Sequence, residues 1–288
     1  MQACNMRVRL SSPPHSPTPC RALQDGLSDA AMSQAAARAA AEVAAWFGRI
    51  DSVVVGVGLG RDVLMLETAR LVMKAAREAQ LPMVLDGDAL FLVAREPELV
   101  TGYPLCLLTP NLNELRRLAS AMGLAGVASH SDHHKRLQGL VDKLGGPTVV
   151  SKGPTDVILD GRATVVCSVT GSPRRCGFQG CILSGVLAVF VAWTAALVEA
   201  SLEGGEALVL EMNVMVLSAF GACATNRLAC ACAYADKRRS MLASDMLNFL
   251  GSSVELLEGD SARPVGQGGS ATTGAVGGPR LPVRQSSR

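Results

Sequence analysis

The chain has 288 residues, 49% of them hydrophobic, with 27 basic against 25 acidic side chains. A formal charge of +2, with no basic block longer than Lys237-Arg238-Arg239, argues against nucleic acid or an anionic membrane as partner. Nine cysteines without CxxC spacing, in a chain long and apolar enough to build a core without staples, read as reduced thiols of an intracellular protein.

Residues Met1 to Ala22 lack the apolar central run of a secretory signal, yet carry Arg7, Arg9 and Arg21 with no acid before Asp25. They read as an organelle transit segment or a disordered leader, which leaves cytoplasm and mitochondrion both open. In SSPPHSPTP, 11–19, the prolines remove donors and fix φ, so folding is expected to start later. Ala30 to Phe47 has the composition of a helix, and Ser52 to Val55 is a β-branched run closing on Gly56. Leu66, Ala69, Met73 and Ala76 then keep a helical apolar stripe, LPMVLD reads as a strand ending at Asp86, and LCLLT as another ending at Thr109. Strands separated by helices require crossovers and hence parallel pairing.

Beyond a polar helical region, PTVVS and DVILD are strands, and Asp160-Gly161 turns DVILD into ATVVCSV as a tight hairpin, an antiparallel excursion from the parallel sheet. Helical stretches follow over roughly 182–200, 211–235 and 243–257. Ile182 to Val198 is the candidate membrane span, but it contains Ser184, Gly185 and Thr194 and falls short of the ~20 apolar residues a bilayer requires, so it reads as a fully buried core helix. The tail from Gly259 is rich in Gly, Ser, Pro and Arg and reads as disordered. The expected organisation is a leader over 1–45, one α/β domain over 46–258 and a tail over 259–288.

Four constellations could carry chemistry. In VVVGVGLGRD, glycines 56, 58 and 60 lie between a strand and a helix, where bare amides can approach an anion, although a tight turn uses glycines in the same way. In LTPNLNEL, Asn111, Asn113 and Glu114 follow a strand end, the edge where open α/β sheets place ligands; helix capping by Asn111 is the competing explanation. In VVSKGPTD, Lys152 at a strand end can meet a phosphate as a point charge, with Gly153 letting the chain turn beside it. The fourth, GSPRRCGFQGC, sets Gly171, Ser172, Arg174, Arg175, Gly177 and Gly180 directly before an apolar helix, so amides, guanidinium groups and a helix dipole converge on one anion site. His130, His133 and His134 read as solvated, and Cys230 and Cys232, two apart on a helix, as small core residues on different faces.

Together, GVGLGRD, PMVLDGDALFLV, LTPNLNELRRL, VVSKGPTDVILDG, TGSPRRCGFQGCILSG and RRSMLASDML resemble, in order and spacing, the ATP- or ADP-dependent NAD(P)H-hydrate dehydratases of the ribokinase-like superfamily. The resemblance runs from about Trp46 to Leu257. It implies a ribokinase-like α/β fold, a central, mostly parallel sheet flanked by helices, with the N-terminal part of the family fold missing before GVGLGRD. It implies a lyase that repairs the S form of hydrated NADH or NADPH: ATP (or ADP), with Mg2+, phosphorylates the hydroxyl of the hydrated ring, then phosphate leaves. Carried over by motif, Gly58, Asn111, Leu112, Asn113, Glu114, Leu115, Arg116 and Arg117 would face the hydrated dinucleotide. Lys152, Gly153, Pro154, Thr155 and Asp156 would hold ATP with Gly171, Ser172, Pro173, Arg174, Arg175, Cys176, Gly177, Phe178, Gln179 and Gly180.

Two departures from the family pattern stand out. The family loop reads GGQGD, whose aspartate resembles the catalytic base of related kinases; here Phe178 occupies the second glycine position and Cys181 that of the aspartate. A thiol has a reference pKa near ~8.5, and a helix start lowers it, which makes Cys181 a usable though poorly matched base. Phe178 is expected to add bulk and φ strain where backbone should approach phosphate. Two further readings therefore stay open, a nucleotide-binding pseudoenzyme of the same family and a ribokinase-like small-molecule kinase. A homo-oligomer is compatible with all three.

Overall fold

The computed structural model describes residues 28–124, 132–203 and 213–258. The expectations for a disordered leader before Ser28, for the tail from Gly259 and for His130 lie outside the described residues.

Helix α1 (Asp29–Ala44) is capped by Ser28, whose side chain accepts from Ala31 N. It packs on α2 (Val63–Glu78) through the fully buried Ala36 and Ala40, small side chains that let the two backbones approach. This helix, within the span expected as leader, thus packs on the α/β domain. Asp62 caps α2, accepting from Leu64 N and Met65 N, and the stripe Leu66, Ala69, Met73 and Ala76 is buried as its spacing predicts.

The six strands β1 (Val53–Val55), β2 (Met83–Leu85), β3 (Cys106–Leu108), β4 (Thr148–Ser151), β5 (Asp156–Leu159) and β6 (Thr164–Cys167) form one sheet in sequence order. The junctions from β1 to β4 are parallel and the last two antiparallel. Because each parallel strand is followed by its spatial neighbour, right-handed crossovers put α2, α3 (Asp88–Arg95), α4 (Leu112–Ala121) and α5 (Asp132–Leu144) on one face. Alternation along β2 shows both coverings: Met83 and Leu85 belong to that core, whereas Val84 joins the opposite one with Leu107, Val150 and Ile158. The hairpin between β5 and β6 turns at Asp160-Gly161 as expected, with Asp160 Oδ1 accepting from Arg162 N and Ala163 N and Gly161 at φ 86°. Burial opposes ionisation of Asp160, but those amides and the Asn213 side chain outweigh it and hold its pKa below the ordinary value.

After β6 the chain reaches the opposite face with α6 (Gln179–Glu203) and α7 (Val214–Lys237), followed by a 3-10 segment, Ala243–Phe249, and α8 (Leu250–Glu258). Helix α6 returns across the sheet to β1 and β2, where Ser52 Oγ donates to Ala188 O, and this path brings its N-terminus to the end of β2. The fully buried helix expected here is corrected. Leu183, Leu187 and Val191 are buried, but Val189, Trp193 and Leu197 are 44%, 52% and 64% exposed, because the sheet and α7 cover only one side of a helix that is apolar all round. By length and composition alone, α6 and α7 could each cross a membrane; here α7 packs on β4, β5, β6 and α6. His134 is exposed as expected, whereas His133 is half-buried with Nε2 3.2 Å from Ser151 Oγ, which corrects its reading as solvated. Cys230 is buried beside Met241 and Met246, and the described residues contain no cluster of three or more metal-binding side chains.

Candidate active site

The four constellations gather along the C-terminal edge of β1 to β4, because the parallel register ends these strands side by side: Val55 pairs with Leu85 and Leu85 with Leu108. Gly56 does not face a ligand. At φ 104°, a Cβ placed there would lie 2.0 Å from Asp86 O and 2.5 Å from Ala89 N, so this glycine lets the end of β1 press on the turn after β2. Gly58, at φ 64°, borders open space, and the loop beyond it is pinned by Asp88, which accepts from Gly60 N and Arg61 Nε at 3.0 Å each.

At the end of β3, Asn111 and Glu114 form a reciprocal cap on α4. Asn111 Oδ1 accepts from Asn113 N (2.9 Å) and Glu114 N (3.1 Å), while Glu114 Oε2 accepts from Asn111 N (2.8 Å). Their side-chain oxygens are thus engaged in capping. Leu115 turns its side chain into the core and is fully buried, whereas Leu112, Asn113, Arg116 and Arg117 are exposed.

Lys152 leaves β4 beside Asn111 in a parallel bridge and donates its ammonium to Asp86 Oδ1 at 2.6 Å. The other oxygen of Asp86 lies 2.9 Å from Ser184 Oγ on the first turns of α6. A Cβ at Gly180 would come 3.3 Å from Lys152 Nζ and 3.7 Å from Asp86 Oδ2, so the glycine sets how closely the helix start approaches this pair. Sequence reasoning took Asp86 only as the last residue of a strand and Ser184 only as a polar interruption of an apolar run. The aspartate following a strand at the ligand-binding edge was the signal available.

The loop before α6 is built partly as expected. Ser172 Oγ caps its own turn with Arg174, and Arg174 Nε donates to Met241 O, so this guanidinium is tied to the C-terminal segment while Arg175 is exposed. Gln179 donates to Arg174 O and reaches Cys230 Sγ at 3.4 Å. Phe178 adopts φ 69° and is 76% exposed, the strain expected at a glycine position of the family. Cys181 behaves differently from expectation. Burial, and then the charge of Asp86, push its thiol pKa up, with Lys152 opposing, so the helix start does not win. At neutral pH it is a protonated thiol and a poor base. Beside it, the outer face of α6 and the 243–254 segment enclose an apolar cleft of about 620 Å³, lined among others by Phe178, Cys181, Phe190, Trp193 and Leu247.

Lys152, Gly180 and the start of α6 thus meet at the strand ends, with Asp86 between the lysine and Ser184. A six-stranded mixed sheet of this order, flanked by helices on both faces, has the ribokinase-like fold. The structure superposes on a ribokinase-like superfamily protein of Enterococcus faecalis with a TM-score of 0.53 at 18% identity, covering 75% of this chain and 66% of that one. On the hydroxyethylthiazole kinase of Pyrococcus horikoshii it superposes with a TM-score of 0.55 at 20% identity, covering 76% and 82%. Within that class, the NAD(P)H-hydrate dehydratase family model matches residues 17–248, and the chain belongs to this family. It is 41% identical over 214 residues to the ATP-dependent (S)-NAD(P)H-hydrate dehydratase of Vitis vinifera, covering 74% of this chain and 59% of the relative. Identity to the enzyme of that name from Homo sapiens is 38% over 216 residues, covering 75% and 60%. The chain thus spans about three-fifths of the length of these relatives.

Proposed function

We propose that the chain is an ATP-dependent (S)-NAD(P)H-hydrate dehydratase, acting inside the cell on hydrated NADH or NADPH. The observation that carries this reading is the meeting of Lys152, Gly180 and the α6 N-terminus at the strand ends, an arrangement suited to an anion, in a chain 41% identical to a relative of that name. In this reading the nucleotide phosphates lie on Lys152 and the amides from Gly177 to Gly180, and the hydrated ring faces Gly58 and the exposed residues Leu112, Asn113, Arg116 and Arg117. The hydroxyl gives up its proton as its oxygen bonds to the terminal phosphorus and the bond to the departing ADP breaks; phosphate then leaves with the C–O electron pair, and loss of a proton from the neighbouring ring carbon restores the dihydropyridine. Positioning and charge neutralisation dominate such a transfer, which suits a site of amides and a lysine. These residues do not fit a resident magnesium ion: Glu114 Oε2 is engaged in its cap, and the two oxygens of Asp86 are held by Lys152 and Ser184; an ion brought in by the phosphates would supply further charge neutralisation.

One observation favours a second reading, a nucleotide-binding protein without turnover: the raised pKa of Cys181 leaves the base position occupied by a neutral thiol. Hydrated NADH mixed with ATP and magnesium separates the two. Growth of the dihydronicotinamide absorbance supports the dehydratase, and ATP binding by calorimetry without that growth supports the second reading.

A further inference from the structure

Arg227 lies in the middle of α7 within ATNRLAC, and no motif singled it out. Its side chain is 12% exposed, and its donors spread over two separate backbone segments. Nε donates to Asp156 Oδ2 at 2.6 Å, Nη2 to Gly153 O at 2.9 Å, and Nη1 to Pro154 O at 2.8 Å and to Val169 O at 3.3 Å. Asp156 closes the turn from its other oxygen, accepting from Gly153 N at 3.1 Å. A Cβ built at Gly171 would sit 3.8 Å from Arg227 Cγ, so the start of the 171–180 loop rests on the stem of the same side chain.

We propose that Arg227 is a positioning residue that fixes the distance between Lys152 and the 171–180 loop, and so holds the two halves of the nucleotide cradle in register. The inference rests on the nucleotide reading given above. Three carbonyl dipoles and one carboxylate converge on this guanidinium, and that arrangement repels itself unless a planar, multiply donating cation sits at its centre. Lys152 immediately precedes Gly153, and Gly171 follows Val169 by two residues, so fixing the carbonyls of 153, 154 and 169 fixes where the ammonium and the loop begin. With its donors engaged in this way, Arg227 acts on an anion through the backbone it holds. A lysine supplies the charge but not the fork.

Two variants of the full chain test this. Arg227→Lys keeps the charge, and Arg227→Gln with Asp156→Asn keeps the pair neutral, so that neither leaves a buried charge alone. Amide hydrogen exchange over 153–156 and 169–171 reads the clamp, calorimetry reads affinity for ATP and for hydrated NADH, and circular dichroism reads folding. We expect both variants to fold, both segments to exchange faster together, and ATP affinity to fall at least tenfold while affinity for hydrated NADH holds within twofold. ATP affinity unchanged despite faster exchange overturns the inference. So does a parallel loss of both affinities with the melting temperature, which marks a general structural role. A wild-type chain that binds no ATP overturns the nucleotide reading itself, and is distinct because the other failures leave wild-type binding intact.

Discussion

Lys152 Nζ and Asp86 Oδ1 lie 2.6 Å apart, reaching across β3 from the ends of β4 and β2. The carboxylate is 7% exposed and the ammonium 18%, so neither charge is replaced by water if its partner is lost. Lys152→Met is expected to destabilise the fold by about 3 kcal/mol and to abolish ATP binding. Asp86→Asn is expected to cost less, because the amide oxygen still accepts from Lys152 while its NH2 can donate to Ser184 Oγ, whose own proton goes to Gly180 O, and to leave ATP affinity equal or tighter, since the phosphate no longer competes with a carboxylate. Urea unfolding and calorimetry on the two variants check the pair of outcomes; loss of ATP binding in Asp86→Asn would show that the carboxylate itself is needed to hold the nucleotide.

Stability is expected to fall on the alkaline side. Burial pushes the thiols of Cys106 and Cys223 well above the ordinary thiol range, and pushes the Tyr103 phenol up to about 12. The unfolded chain loses these protons first, near ~8.5 for thiols and ~10 for the phenol, so between those values and the folded ones the folded state holds more protons. Stability contributed this way is complete below about pH 8 and declines as pH rises. The urea midpoint should therefore drop steadily from pH 8 to pH 11, and more gently in Cys106→Ala, measured relative to that variant's own midpoint at pH 7.

Much of the sheet was legible because its signals are local. The apolar runs ending at Val55, Asp86 and Thr109 marked the parallel strands, and Asp160-Gly161 marked the hairpin. The site was legible as segments but not as contacts. Lys152 and Asp86 are 66 residues apart and Arg227 and Asp156 are 71 apart, and no periodicity encodes either pair. An arginine inside an apolar helix reads as a flaw in the pattern until the fold shows what it holds. Asn111 and Glu114 were legible in two ways, as ligand-facing and as capping residues, and the hydrogen bonds show the cap. Composition misled on α6, since a helix apolar all round reads as buried whether or not the fold covers both of its sides.

Phe178→Gly is expected to raise stability by about 0.5–1 kcal/mol. At φ 69° a phenylalanine carries a left-handed strain of roughly 1–2 kcal/mol, and its ring, 76% exposed, returns little by burial; the greater freedom of an unfolded glycine offsets part of the gain. The same change should tighten ATP binding if the backbone at 178 meets phosphate. Thermal melts with and without ATP measure both effects, and a lower melting temperature would show that the ring is held more firmly in the cleft beside α6 than its exposure indicates.

Cys181→Asp is expected to raise dehydration of hydrated NADH by about 10²–10⁴ while changing ATP affinity little, because a positioned general base acts on the transition state and adds little to ground-state binding. The wild-type thiol is held protonated by burial and by Asp86, so it starts from a poor position. A second carboxylate near Asp86 and the triphosphate adds repulsion, which works against nucleotide binding and keeps the expected affinity change small or slightly unfavourable. Combining Cys181→Asp with Phe178→Gly should exceed the single change, and the two effects should not simply add, since the residues are neighbours on one loop. Turnover at saturating ATP, followed for wild type and for the single and double variants, decides the matter. Wild-type turnover equal to that of the double variant would mean that no carboxylate is needed at position 181. Silence in all three with ATP still bound would place the deficit outside the loop, on the substrate side of the sheet edge near Gly58 and Asn113.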